Sequence, residues 1–343
     1  MRELTYTAAI QEAIHQLMGE DDRIYIIGQG VTDPKGVFGT TLGLKEKHPG
    51  RVFDSPTSEN GVMGMAIGSA IAGMRPIVSH QRIDFSLLAM EQLVNEAAKW
   101  HYMFKRPIPI VLRCIIGRGW GNGPQHSQAL HSLFTHIPGL KVVMPSTPYD
   151  AKGLLIASVK DNNPVIFIEH RWLQGTTGTV PQVMYEEQLQ PFTMCPGDDI
   201  TIVASSHAAL ESMRAAEILK DNGVFAEVID VRCLRPLNSD AILASVSNTG
   251  RLLVVDDGWR FCGFSAEIVA MISEKLFRTL RGAPERIALP DCPTPSTPEL
   301  SRFFYPTAGW IAHKAALMCG MNIEIKTFPP PYDVPVQGLK GAL

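Results

Sequence analysis

Apolar and polar positions alternate along this chain with two periods, and the switches between them mark its elements. Between Thr7 and Met18, Ala8, Ile10, Ile14 and Leu17 form one apolar face, which predicts an amphipathic helix. Arg23-Ile-Tyr-Ile-Ile-Gly28 is short and mainly apolar, as a buried strand requires. From Gly61 to Met74 the chain is small and weakly polar, is closed by Arg75-Pro76, and reads as a buried helix begun at Glu59. A strand at Pro76–Ser79 and a long helix from Asp84 to about Met103 follow, with Asp84 as the expected N-cap. Further strands are predicted at Pro109–Arg113, Lys141–Met144 and Pro164–Ile168, with a helix at Ala151–Val159. This alternation predicts an α/β fold with a parallel sheet covered on both faces.

The pattern lapses between about His170 and Pro196, where Gly175-Thr-Thr-Gly-Thr-Val-Pro-Gln is turn-rich and Tyr185-Glu-Glu-Gln-Leu-Gln is polar. A linker is expected there, dividing the chain into domains at 1–185 and 186–343. Alternation then resumes with strand Asp199–Ala204, helix Ala208–Asn222 stopped by Gly223, strand Ala226–Val231, helix Ser239–Asn248, strand Arg251–Val255 and helix Phe264–Leu280. These make a second, smaller α/β unit. The tail carries Pro290, Pro293, Pro295, Pro298 and Pro329-Pro-Pro331, and is expected to be irregular.

Bulk properties narrow the function classes. Hydrophobic residues make up 45% of 343, which supports two cores rather than disorder. The net charge of −3, with no long basic run, argues against nucleic acid as a partner. The six cysteines (114, 195, 233, 262, 292 and 319) contain no CxxC pair, so reduced thiols in a cytoplasmic protein are the simplest account. The run from Gly61 to Met74 is too short to span a bilayer, and Met1-Arg-Glu-Leu does not read as a signal peptide.

Three constellations carry chemistry. Glu59 stands at the start of an apolar helix with no basic residue before Arg75. A buried carboxylate there suits proton sharing with a ligand nitrogen; a helix-start glutamate favoured by the macrodipole is the plainer account. Gly117-Arg-Gly-Trp-Gly-Asn-Gly-Pro-Gln-His126-Ser127-Gln128 is a glycine-rich loop that can present His126 into a cleft as a proton donor; capping the next helix is the alternative. Phe85 can stack on a planar ligand or fill the core. Gly28-Gln-Gly30 lacks the third glycine of a dinucleotide fingerprint. Neither a phosphate-binding Gly-x-x-x-x-Gly-Lys-Ser/Thr nor a Gly-x-Ser-x-Gly elbow occurs.

Taken together these segments resemble the β subunit of the thiamine-diphosphate-dependent 2-oxoacid dehydrogenases, the E1 component of the pyruvate dehydrogenase type, in the transketolase superfamily. The residues that carry it are Arg51 to Pro76, Asp84 to Asn95, Gln125-His-Ser-Gln128, Pro138 to Leu155, Asp161 to Glu169 and Ala226 to Arg232. The similarity spans nearly the whole chain and keeps the motif order. It implies a parallel-sheet pyrimidine-binding domain followed by a smaller transketolase C-terminal domain. It also implies an α subunit, in an α2β2 assembly, that holds the diphosphate and its Mg2+ through a Gly-Asp-Gly motif. That motif is missing here, since Gly197-Asp-Asp-Ile does not match it. By the same resemblance Glu59 contacts ring nitrogen N1′ and favours the imino tautomer, Phe85 packs on the aminopyrimidine, and His126 lies near the substrate. Asp161 and Asn163 match a segment that holds a structural potassium ion in several relatives.

The resemblance implies decarboxylation of a 2-oxoacid and passage of the acyl group to a lipoyl acyltransferase, E2. The chain departs from the pattern at Gln29-Gly30, where relatives carry an acidic pair, at Asn60, at Ser79-His-Gln-Arg-Ile83, and in the loop from Cys114. The new polar groups at 80–82 and Arg118 point to a changed substrate. They keep open a relative that transfers a two-carbon unit to a sugar or other acceptor without a lipoyl partner.

Overall fold

A computed structural model describes residues 2–119 and 122–323, so Trp120, Gly121 and Pro329–Pro331 lie outside the described residues. The chain folds as two units. The first comprises Met1–Gly117, His126–Gln190 and Arg232–Leu237, and the second comprises Arg118–Gln125, Pro191–Val231 and Asn238–Leu343.

The first unit is built on seven strands in the order Cys233–Arg235, Lys141–Val143, Val165–His170, Val111–Ile116, Arg75–His80, Ile24–Gly28 and Val52–Asp54. All neighbours are parallel except Cys233–Arg235, which runs antiparallel at one edge. The three central strands after the first crossover are buried along almost their whole length, which is why their sequences read as continuous apolar runs. Helix Tyr6–Glu20 starts on Thr5, whose hydroxyl accepts from the Ala8 amide at 3.1 Å, and it packs on helix Pro148–Lys160.

The turn-rich stretch after His170 is ordered. Thr177–Val180 pairs antiparallel with Arg2–Thr5, two strands that hydropathy alone does not reveal. Beyond it, three successive carbonyls take the fully buried Lys152 ammonium: Pro181 at 2.7 Å, Gln182 at 3.4 Å and Val183 at 2.9 Å. The Glu12 carboxylate, at 2.6 Å, balances its charge. A single cation thus satisfies a run of backbone acceptors that lacks a regular ladder.

The long helix expected from Asp84 to Met103 is broken into three pieces. Ile83–Ala89 is a 3-10 helix, Gln92–Ala97 a π-helix and Ala98–Phe104 an α-helix. Arg82, not Asp84, stands at its N-cap. Asp84 does not cap because its carboxylate is taken by the backbone and side-chain amides of Gln128. π-turns inside helices concentrate near functional sites.

In the second unit the sheet order is Glu285–Leu289, Leu252–Trp259, Ile200–Ala204, Ala226–Asp230 and Phe192–Cys195, parallel but for the last. The proline-rich tail corrects an expectation, for it contains helix Ala308–Met318. Pro290, Pro293, Pro295 and Pro298 precede the helix, Thr307 caps it, and Ile311, Ala312, Ala315 and Ala316 form a fully buried face in this unit's core. Among the described residues no helix is long and apolar enough to cross a membrane.

Candidate active site

Ligands of parallel sheets bind outside the carboxyl ends of the strands. In the first unit, three adjacent strands end at Gly28, Asp54 and His80. The residues just past them, Gln29, Ser55, Pro56 and Gln81, line one narrow cleft together with Glu59, Val62 and Phe85. The glycines of Gly28-Gln-Gly30 are explained by this packing rather than by a dinucleotide. A Cβ on Gly28 would lie 2.2 Å from the Ser79 carbonyl oxygen of the next strand. Gly30 turns with φ +70, and its amide donates to Asp54 Oδ1 at 2.8 Å, tying two strand ends together.

Glu59 is the first residue of helix Glu59–Ile71 and is only 8% exposed. Ser58 occupies the N-cap without a side-chain bond to a helix backbone amide; its hydroxyl donates to Asn60 Oδ1 instead. Among the described residues no donor is bonded to the Glu59 carboxylate. A buried carboxylate at a helix N-terminus, left without a protein donor, is stabilised by the macrodipole and remains free for a ligand.

Phe85 is half-buried, and its ring meets that of His126 edge-on, with centroids 5.3 Å apart at 89°. His126 closes the 3-10 turn Pro124–His126 and is exposed. It does not cap the following helix, which begins at His131 after Leu130. The structure therefore places Glu59 and Phe85 on one cleft and sets His126 against Phe85.

Asp161 and Asn163 lie elsewhere, at the end of helix Pro148–Lys160. Asp161 Oδ1 accepts from the Asn163 amide at 2.8 Å and from its Nδ2 at 2.9 Å, and Oδ2 is paired with the Lys141 ammonium. Burial opposes ionisation of Asp161, but Lys141 and Asn163 outweigh it and hold its pKa below the usual carboxylate range. An ammonium already neutralises this carboxylate, so its side chain does not fit a potassium ion.

Some site residues are not evident from sequence patterning. Asp84, also 8% exposed, bonds Gln128 Nε2 at 2.8 Å through Oδ1, and its Oδ2 is buried without a partner. Burial, partly offset by Gln128, raises its pKa. His80 and Gln81 show in the sequence as polar departures from the family pattern, without the geometry that sets them on the cleft. Arg113 and Glu169, both at most 1% exposed, form an ion pair at 2.6 Å, and Arg113 also donates to Thr40 Oγ1 at 3.1 Å.

Comparison with known proteins identifies the family of the chain. Residues 2–176 match the domain described as transketolase, pyrimidine binding domain, and residues 193–311 match transketolase, C-terminal domain. The chain belongs to the transketolase family, in the branch of the dehydrogenase β subunits. It is 41% identical to the acetoin:2,6-dichlorophenolindophenol oxidoreductase subunit beta of Cupriavidus necator, over 92% of this chain and 97% of that one. It is 36% identical to the pyruvate dehydrogenase E1 component subunit beta of Rickettsia bellii, over 92% and 99%. With the 2-oxoisovalerate dehydrogenase subunit beta of Bacillus subtilis it shares 38%, over 89% and 95%. A solved split-gene transketolase, an inactive beta4 tetramer, shares the fold with a TM-score of 0.78 at 19% identity, covering 93% of this chain and all of that one.

Proposed function

We propose that this chain is the β subunit of a thiamine-diphosphate-dependent 2-oxoacid dehydrogenase E1 component, acting with an α subunit in an α2β2 assembly. The observation that carries this reading is the buried Glu59 carboxylate, free of protein donors, on the cleft that Phe85 also lines. Those residues fit an aminopyrimidine: an aromatic face to pack on and a carboxylate to meet a ring nitrogen. When bound, thiamine diphosphate supplies a nucleophilic carbon for attack on a 2-oxo group. Glu59, at the cleft, would meet a nitrogen of the bound ring and share a proton with it. Phe85 orients the ring, and His126, exposed beside Phe85, stands ready to donate a proton from its imidazole toward the substrate. The diphosphate and Mg2+ belong to the α subunit, because this chain lacks the Gly-Asp-Gly motif. The acyl group then passes to a lipoyl carrier on an E2 partner, in the cytoplasm.

The test is co-expression with the α subunit and a screen of 2-oxoacids with 2,6-dichlorophenolindophenol as electron acceptor. Turnover that requires added thiamine diphosphate is the expected result. A well-assembled complex that reduces the dye with no 2-oxoacid overturns the reading. Transfer of a two-carbon unit to a sugar is the second reading, favoured by the polar lining of Gln29, His80 and Gln81. Sugar-dependent product in the same complex would establish it.

A further inference from the structure

His80 is the last residue of strand Arg75–His80 and lines the cleft with Glu59 and Phe85. It is 6% exposed. Its Nδ1 lies 3.0 Å from the hydroxyl of Ser86, itself fully buried, which fixes the ring. Its Nε2 is buried and has no hydrogen-bond partner. An unpaired nitrogen in such a place destabilises the free protein, and a ligand that pairs with it removes the penalty. Burial lowers the pKa of the ring to about 4, so it is neutral in the physiological range.

Beside the apolar Pro56, Val62 and Phe85, the rest of the lining offers polar groups but no cation. Gln29, Ser55, Ser79 and Gln81 are neutral, and Glu59 is the one acidic group. Arg82, the next basic side chain, is turned to the Gly117 carbonyl. A second carboxylate on the substrate would meet no positive charge here and would stand near Glu59. A plain alkyl group would leave Nε2 buried and unpaired. A hydroxyl both donates and accepts, so it satisfies His80 whichever ring nitrogen carries the proton.

We propose that His80 is a specificity-determining residue whose Nε2 hydrogen-bonds a hydroxyl on the acyl group of the substrate, so that hydroxylated 2-oxoacids are preferred over alkyl ones. This rests on the proposed reading of the cleft as part of the active site of a thiamine-diphosphate-dependent 2-oxoacid dehydrogenase, with the acyl group beside the ring. The probes are pyruvate and 3-hydroxypyruvate, which differ by one hydroxyl, assayed with the αβ complex and the dye. The ratio of kcat/KM for 3-hydroxypyruvate to that for pyruvate should favour the hydroxylated acid. In His80→Phe it should fall by on the order of 10–100-fold. His80→Gln, which keeps a polar tip, should restore much of the ratio, and the KM for thiamine diphosphate should stay within about threefold.

Equal loss with both acids would overturn the proposal. So would a raised KM for the cofactor with an unchanged ratio, which would place the ring against the cofactor. If His80→Phe does not assemble, Ser86→Ala, which only releases Nδ1, should lower the ratio in the same direction; an unchanged ratio there counts against the proposal. If the wild-type complex turns over neither acid, His80 is judged by binding alone, and the dehydrogenase reading is judged separately by the wider 2-oxoacid screen. In that case 3-hydroxypyruvate should raise the melting temperature more than pyruvate does, in wild type but not in His80→Gln or Ser86→Ala. Equal shifts in wild type refute the role of His80.

Discussion

Replacing Glu59 with glutamine separates the two roles that its position allows. Glutamine keeps the size and hydrogen-bonding reach of the side chain but cannot exchange a proton. Glu59 lies in the first turn of helix Glu59–Ile71 and is 8% exposed. A negative charge there stabilises the helix by about 0.3–1 kcal/mol, and the neutral amide is easier to bury, which offsets part of that loss. The melting temperature should therefore move by no more than about 4 °C. A general acid–base contribution is on the order of 10²–10⁴-fold, or about 3–5 kcal/mol of barrier. The expected pattern is a loss of turnover of that order with cofactor KM and stability little changed. Steady-state kinetics and thermal melts of the co-expressed complex read both quantities on one sample. Near-normal turnover with lowered stability would mean that Glu59 only starts its helix.

Gly64→Leu meets open space within the subunit, where the nearest atom to an added Cβ is Gln92 Cγ at 4.0 Å. The isolated chain should stay folded while sedimentation shows the α2β2 assembly dissociating; an intact tetramer would show that this small-residue face is not an interface. Arg113→Met strands the buried Glu169 carboxylate and should destabilise by about 3–5 kcal/mol in urea unfolding, with Glu169→Leu added to it restoring much of the loss. Recovery is the diagnostic, because a purely steric defect would worsen. His80 is neutral in both states above pH 6.5, but between 6.5 and about 4 only the unfolded chain takes up its proton, so stability falls with pH. Acid unfolding of His80→Phe should lack this component, worth about 3 kcal/mol at pH 4, and an unchanged acid profile would contradict the buried, unpaired ring. The isolated chain should bind thiamine diphosphate poorly, since it lacks the diphosphate motif, and tight binding in calorimetry would show otherwise.

What the sequence makes legible follows from how local each signal is. Helix Tyr6–Glu20 and strand Ile24–Gly28 are set by apolar period, and the periodicity places them within two residues. The break of the stretch after Asp84 is not local, because the Asp84 carboxylate finds Gln128, forty-four residues away. Strand Arg2–Thr5 is likewise defined by a partner at Thr177–Val180, and no window of sequence contains both. Helix Ala308–Met318 is hidden by the prolines ahead of it, although its own face is apolar at helical spacing. Glu59 and Phe85 stand out because a carboxylate or an aromatic at an element boundary is unusual in itself. His80 stands out only as a polar departure from the family pattern; its role takes shape when its two nitrogens are followed separately, one to Ser86 and the other to nothing.

That difference bears on where specificity can reside. The cleft is assembled from the ends of three neighbouring strands. Residues just past those ends, such as Gln29 and Gln81, contribute little to the core. They can change without disturbing Glu59 on its helix or Phe85 on the adjoining turn. His80 is the exception, since it is buried in the strand and its ring is anchored from behind by Ser86. A polar residue there lowers stability, most of all in acid, and gains nothing for packing that an apolar residue would not supply better. Its presence is accounted for by a ligand group that meets Nε2, which is why the acid scan and the substrate ratio should respond together to the same substitution.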